Sequence, residues 1–341
     1  MKNKLPFLLV SIVIFACSLN SNIWGAPVAP ALASTETVLP TPTETLTPLP
    51  PATVTPTFTP TPAVIQRVLI VSFDGMRPDA IEKAPMENLL SLMRLGATSL
   101  TAQTIYPSTT LPAHSSMLVG VCVAKHHVIW NDYIPENGDA RGTDLFDLAH
   151  AAGLRTVMIV GKEKLRQVTA PESTDVFKVF EYEDETAPED AIADEASREI
   201  RNGFGLMFVH FPTGDLMGHE FDWMSSEQLA AYREGDAGLG QMMAALVESG
   251  LDGSTLIIVT SDHGGHNSTH GSRSPEDMTI PWVVAGAGVQ AGQIHSPVYT
   301  MDTAATAAYV LGLPAPKEWD GVPVYEAFGL PSPARDQPVC K

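Results

Sequence analysis

Five short, unbroken apolar runs constrain this chain most: residues 68–73 (VLIVSF), 156–160 (TVMIV), 206–211 (LMFVHF), 255–260 (TLIIVT) and 282–285 (WVVA). A strand with one wet face alternates apolar and polar residues. These runs do not, so each is expected to be covered on both faces. Between them lie segments with helical spacing, at 78–95, 144–152, 190–201 and 226–248. The interleaving predicts an α/β domain: a mostly parallel central sheet with helices on both faces. Residues 65–330 suffice for one such domain with a substantial core.

The chain ahead of that domain has a different composition. Lys2 and Lys4 precede an apolar run over 6–17, too short to span a bilayer comfortably and suited to a secretion signal. Its end, Ile14-Phe15-Ala16-Cys17, resembles a lipobox, with Cys17 as the residue to be lipidated. Ten of the chain's 28 prolines fall between 27 and 63, among threonines and alanines. Proline removes backbone donors and favours an extended path, so 27–64 is expected to be a semi-rigid linker. The expected layout is a signal over 1–26, the linker, the folded domain over 65–330, and a tail over 331–341. It describes an exported protein, secreted or held at the cell surface, that meets a membrane only through Cys17.

Twenty basic against 39 acidic residues give a net charge of −19, which argues against bulk nucleic-acid binding. Part of the excess is the run EYEDETAPEDAIADE at 181–195, read as a solvated loop or helix lead-in. With Cys17 lipidated, Cys122 and Cys340 remain; they could pair in an oxidising compartment or stand as separate thiols.

In parallel sheets, ligands bind beyond the carboxyl ends of the strands. Three of the runs end in residues able to bind metal: VLIVSF in Asp74-Gly75, LMFVHF in a turn leading to Asp215, and LIIVTS in Asp262-His263. Asp215 and His219 are four apart, hence on one face of a helical turn. His270 follows Asp262 and His263 after a short glycine-containing loop. Carboxylate oxygen and imidazole nitrogen without thiolate suit zinc and tolerate manganese or iron. Thr110 stands just before Pro112, at the start of an expected helix running through 115–118. There backbone N–H groups and the helix dipole favour a phosphate. Such a threonine is either an N-cap or a nucleophile activated by a cation.

The motifs VSFDG at Asp74, YPSTTLPAH at Thr110, GDLMGH at Asp215 and His219, TSDHG at Asp262 and His263, and THGS at His270 occur in an order that resembles the alkaline phosphatase superfamily. Within it, residues 67–328 are most similar to the nucleotide pyrophosphatase/phosphodiesterase branch. The resemblance implies two divalent metals. One would be held by Asp215, His219 and His270, the other by Asp74, Asp262, His263 and the Thr110 oxygen. It also implies a phosphothreonine intermediate and a small-molecule phosphoester substrate. KHHVIWND at 125–132 resembles the segment after the nucleophile helix, and Trp130, Asn131 and Tyr133 either line the substrate pocket or serve packing. Ala113 departs from the branch, which commonly has asparagine there to hold a phosphoryl oxygen. The sulfatase branch would need a cysteine or serine in place of Thr110.

The expected activity is phosphodiester or pyrophosphate hydrolysis. A phosphomonoesterase, with Arg273 or Lys125 balancing the extra charge, and a phosphonate hydrolase are alternatives on the same metals. A non-catalytic surface-binding lipoprotein is the alternative of another class. His114 and His266 are expected to support the site without taking part in the chemistry.

Overall fold

A computed structural model describes residues 65–182, 187–335 and 339–340. The expected signal segment, Cys17 and the proline-rich linker lie outside the described residues. Along the chain run β1 (Arg67–Phe73), α1 (Ala80–Lys83), α2 (Glu87–Leu95), β2 (Ala97–Gln103), α3 (Thr110–Val119), α4 (Val123–His126), α5 (Leu145–Ala151), β3 (Thr156–Val160) and β4 (Val176–Val179). They are followed by α6 (Glu189–Asn202), β5 (Leu206–Phe211), α7 (Thr213–Phe221), α8 (Ser226–Glu248), β6 (Thr255–Thr260), α9 (Pro275–Met278), β7 (Thr279–Gly286), β8 (Gly292–Gln293) and α10 (Asp302–Val310).

The strands form one sheet in the order β4-β3-β5-β1-β6-β7-β2-β8. From β4 through β6 every pairing is parallel, whereas β7 runs antiparallel to both of its neighbours. The mostly parallel sheet expected from the apolar runs is therefore present. Successive residues of β1 point to opposite faces, as strand geometry requires. Val68 and Ile70 join a core with Leu111, Leu118, Phe146 and Ala304, from α3, α5 and α10. Leu69 and Val71 join one with Leu89, Ile200 and Met242, from α2, α6 and α8. Each large side chain so buried stabilises the fold by about 1.5–3 kcal/mol.

Local chemistry explains the element ends. The expected helix over 78–95 is split into α1 and α2, because Pro85 lacks an N–H and disfavours helix at the residue before it. Asp144 caps α5 reciprocally: its carboxylate accepts from the Asp147 N–H at 2.9 Å, and the Asp147 carboxylate accepts from the Asp144 N–H at 3.0 Å. The acidic run is less exposed than expected. Glu189 within it is buried and accepts from the Thr213 N–H at 3.0 Å and hydroxyl at 2.6 Å. Cys122 and Cys340 form a disulfide with Cα atoms 5.6 Å apart. The disulfide ties the end of the chain to the start of α4, where Val339 packs against Ile105 and Tyr299.

Candidate metal centre and active site

β5, β1 and β6 are adjacent and parallel, so their carboxyl ends open on one edge of the sheet. Asp74 follows β1, Asp262 follows β6 by one residue, and Asp215 lies in the first turn of α7 just after β5. The i, i+4 spacing brings His219 Nε2 to 3.5 Å from Asp215 Oδ1. The loop after β6 brings His270 Nε2 to 3.4 Å from the same oxygen and 3.1 Å from His219 Nε2. His263 Nε2 lies 3.3 Å from both Asp74 Oδ1 and Asp262 Oδ2, and 4.0 Å from Asp215 Oδ1. The six residues singled out in the sequence thus meet in one place. Two overlapping groups, which share His263, are each compact enough to hold a cation: Asp74, Asp262 and His263, or Asp215, His263 and His270.

The hydrogen bonds around these side chains fix which atoms face inward. Each imidazole directs Nδ1 at a backbone carbonyl: His219 at Ser268, His263 at Gly264 and His270 at Ser108, at 2.8–3.0 Å. Nδ1 therefore carries a proton and donates it, so that Nε2 is the lone pair of each ring when the ring is neutral. The carboxylates are divided in the same way. His210 accepts from the Gly161 N–H at Nδ1, so its Nε2–H donates to Asp74 Oδ2 at 2.9 Å. Lys162 Nζ lies 2.6 Å from Asp74 Oδ2 and 2.6 Å from Asp215 Oδ2. Asp262 Oδ1 accepts from the Gly75 N–H at 3.1 Å.

Asp74 Oδ1, Asp215 Oδ1, Asp262 Oδ2 and His263 Nε2 are then buried with no hydrogen-bond partner among the described residues. Buried polar atoms without partners are costly, and here all four are acceptors gathered within a few ångströms. A positive charge at their centre satisfies all of them at once, which is the fit expected of divalent cations held by oxygen and imidazole nitrogen. Titration shows the same demand for positive charge, with a proton at His263 Nε2 competing for the place a cation would take. Burial works against a charge on His263, yet Asp262, Asp74 and Asp215 together push its pKa up to about 9. Burial also opposes charge on Asp74, but Lys162, His210 and His263 hold its carboxyl well below the usual range.

Thr110 is the first residue of α3 and is buried; the N-cap position belongs to Thr109. The Thr110 carbonyl accepts from His114 Nδ1–H at 2.8 Å, and the same nitrogen lies 3.4 Å from Asp262 Oδ2. Ser72 donates to His114 Nε2 at 2.9 Å, so His114 links the threonine to one carboxylate of the centre. The pocket candidates divide. Asn131 Oδ1 accepts from the Leu111 N–H at 2.9 Å, capping the first turn of α3. Trp130 donates to Gln167 at 3.3 Å and packs on the core, while Tyr133 is exposed. Lys125 is engaged by Asp320 at 2.6 Å and His266 by Asp277 at 2.7 Å. Arg273 lies over the ring of Tyr106, 4.2 Å from its centroid.

Lys162 and His210 were not anticipated. A histidine inside LMFVHF reads as core, and GKEK after a strand reads as a solvated loop. Their one sequence signal is position, at or just past the carboxyl end of a strand.

This centre can be set beside known proteins. Residues 68–278 match the family described as type I phosphodiesterase/nucleotide pyrophosphatase. Human ectonucleotide pyrophosphatase/phosphodiesterase family member 5 is 26% identical over 216 residues, 58% of this chain and 45% of that protein. A 2,3-bisphosphoglycerate-independent phosphoglycerate mutase of Cereibacter sphaeroides is 29% identical over 147 residues, 40% of this chain and 26% of the mutase. The chain thus spans less than half the length of these curated relatives. The solved structure of murine ectonucleotide pyrophosphatase/phosphodiesterase 5 superposes with a TM-score of 0.62 at 15% identity, over 78% of this chain and all of that one. A phosphonate monoester hydrolase from Silicibacter pomeroyi gives 0.61 at 14%, over 79% and 78%. At such identities the structures show a shared fold. The family match runs from β1 to α9 and takes in Asp74, Thr110, Asp215, His219, Asp262, His263 and His270. The chain belongs to the type I phosphodiesterase/nucleotide pyrophosphatase family.

Proposed function

We propose that this chain is a two-metal hydrolase that cleaves phosphodiester or pyrophosphate bonds of small molecules through Thr110. The observation that carries the proposal is the inward set of partnerless acceptors, Asp74 Oδ1, Asp215 Oδ1, Asp262 Oδ2 and His263 Nε2. Asp215, His219 and His270 would hold one cation, and Asp74, Asp262 and His263 with the Thr110 oxygen the other. Zinc best suits these donors, which manganese or iron could also use. The cations would supply Lewis-acid activation of the threonine hydroxyl and of a phosphoryl oxygen.

This chain's own residues do the rest. His114 holds the Thr110 carbonyl, and Asn131 holds the Leu111 N–H, so the first turn of α3 is fixed before substrate arrives. Pro112 has no N–H, which leaves the Thr110 N–H as the first-turn donor for a phosphoryl oxygen. Thr110 Oγ attacks phosphorus, the bond to the leaving oxygen breaks, and that oxygen takes up a proton. Water then displaces Thr110 from the phosphothreonine. An inactive Thr-to-Ala form of the murine relative is known in complex with AMP, which supports both the nucleophile and a nucleotide-sized ligand.

Phosphomonoester chemistry is a second reading, favoured by the Cereibacter sphaeroides mutase relative and by the extra cation Lys162. Export completes the proposal. The Cys122–Cys340 disulfide supports it, because such bonds persist in oxidising compartments. The proposal also includes a signal over 1–26 with Cys17 as its possible lipidation site, and a 27–64 linker before a 65–330 catalytic domain, on the support of the sequence alone.

The test is turnover of bis- and mono-p-nitrophenyl phosphate, with and without chelator, by the wild type and Thr110→Ala. We expect the diester to be preferred, chelation to abolish turnover, and Thr110→Ala to remove nearly all of it. Full activity in Thr110→Ala would sink the nucleophile, and undiminished activity after chelation would sink the metals.

A further inference from the structure

Among the described residues, Lys162 is the lysine or arginine paired with the carboxylates of the centre, and its surroundings explain why it stands there. It follows β3 by two residues, with Gly161 between. A Cβ on Gly161 would lie 2.2 Å from Pro212 Cγ, so glycine alone lets the end of β3 pass this close to the turn after β5. The Gly161 N–H is held by His210 Nδ1 at 3.2 Å. The backbone ahead of Lys162 is therefore pinned to the same turn that leads to Asp215. From there the largely buried side chain reaches both carboxylates, 2.6 Å from each Oδ2.

That contact divides the oxygens of the centre. Both Oδ2 atoms bonded to Lys162 are satisfied, and both Oδ1 atoms are partnerless and face imidazole nitrogens. A carboxylate free at both oxygens can take two coordination positions on one cation. A carboxylate clasped at one oxygen gives a cation a single position, and a catalytic site needs positions left open for substrate. We infer that Lys162 is a positioning residue that clasps the Oδ2 atom of Asp215 and, together with His210, that of Asp74, so that each carboxylate offers one oxygen only and the centre keeps open positions. The inference rests on the two-metal reading above. It goes beyond that reading by assigning the property that separates a catalytic metal site from a closed, structural one.

Cobalt tests it without reference to turnover. Co²⁺ has visible absorption bands that are strong at low coordination number and weak in six-coordinate sites. The full chain, stripped of metal, is titrated with Co²⁺ for the wild type, Lys162→Met and Lys162→Arg. We expect the wild type to reach its endpoint at two ions per chain with strong bands. Lys162→Met should also bind two ions, but with absorbance about twofold weaker, because the released Asp215 Oδ2 closes an open position on one ion while His210 still holds Asp74 Oδ2. Lys162→Arg keeps a cation with several donors and should recover most of the wild-type intensity. If Lys162→Met does not survive without metal, Lys162→Gln, purified with Co²⁺ present throughout, takes its place; its amide carries no charge and its side chain is one bond shorter than that of lysine.

The outcomes separate the claims. A wild-type endpoint below two ions overturns the two-metal reading itself. Two ions with identical spectra in the wild type and the methionine or glutamine variant overturn the clasp and leave the metals standing. A Lys162→Arg spectrum as weak as that of the methionine variant also overturns it, since charge and donors would then not be what holds the oxygens apart.

Discussion

Gly265→Ala should damage both stability and activity, for a reason visible in the packing of Trp223. A Cβ on Gly265 would sit 2.1 Å from Trp223 Cε2, where no real contact can exist. The indole cannot yield easily. Its Nε1–H donates to the Gly75 carbonyl at 2.9 Å, and the Trp223 backbone N–H donates to Asn267 at 2.5 Å. Its other edges meet Gly75 and Gly218, where a Cβ would lie 3.1 Å and 2.8 Å away. The two loops bearing Asp74 and His263 and the helix bearing His219 thus each present a glycine to one tryptophan, which sets their spacing. Overpacking of this kind costs about 1–3 kcal/mol, a fall of roughly 2–10 °C in melting temperature for a domain this size. The candidate metal ligands lie on the same segments, and a misplacement of about 1 Å can reduce turnover by about 10²-fold. The assay is thermal unfolding together with diester hydrolysis. Gly253→Ala is the control, since nothing lies within 4 Å of a Cβ there. Trp223→Leu should be less harmed by the second substitution than the wild type is, because the two sites share one contact. Gly265→Ala with wild-type stability and turnover would refute the account of Trp223 as the spacer.

Two further outcomes follow from groups away from the centre. His126 is buried and neutral: its Nδ1 accepts from the Val128 N–H at 3.1 Å, so its Nε2–H donates to Ser116 at 2.8 Å. Burial, assisted by neighbouring His127, lowers its pKa from 6.5 to about 4. The unfolded chain therefore binds the proton first. Stability is whole above pH 6.5 and is lost as pH falls towards 4, by about 3 kcal/mol. Urea unfolding of the wild type across that window should show the loss, and His126→Gln should show a correspondingly flatter dependence. Reduction of the Cys122–Cys340 disulfide, or Cys340→Ser, should lower stability by about 2–5 kcal/mol, read as a shift in the denaturation midpoint.

Much of this architecture was legible because parallel strands advertise themselves. Each of the five apolar runs became a strand, and Asp74 and Asp262 could be placed because residues at strand ends share one edge of the sheet. His219 was legible from a four-residue spacing. α10 was not, since its Ala- and Thr-rich sequence is buried nearly all round and has no apolar stripe to detect. β2 and β4 were missed because their mixed sequences lack a continuous run. Lys162 and His210 escaped for a different reason: their importance lies in partners 53 and 136 residues away. No local pattern encodes such a contact.

The central claim is that the inward carboxylates and imidazoles hold two divalent cations. Its most direct test is the metal content of the purified full chain, measured by mass spectrometry after saturation with Zn²⁺ and removal of the excess. The account predicts two ions per chain in the wild type and a clear deficit in His263→Ala, whose Nε2 faces all three carboxylates. A wild-type chain that retains no metal, or a His263→Ala chain that retains its full complement, would contradict it.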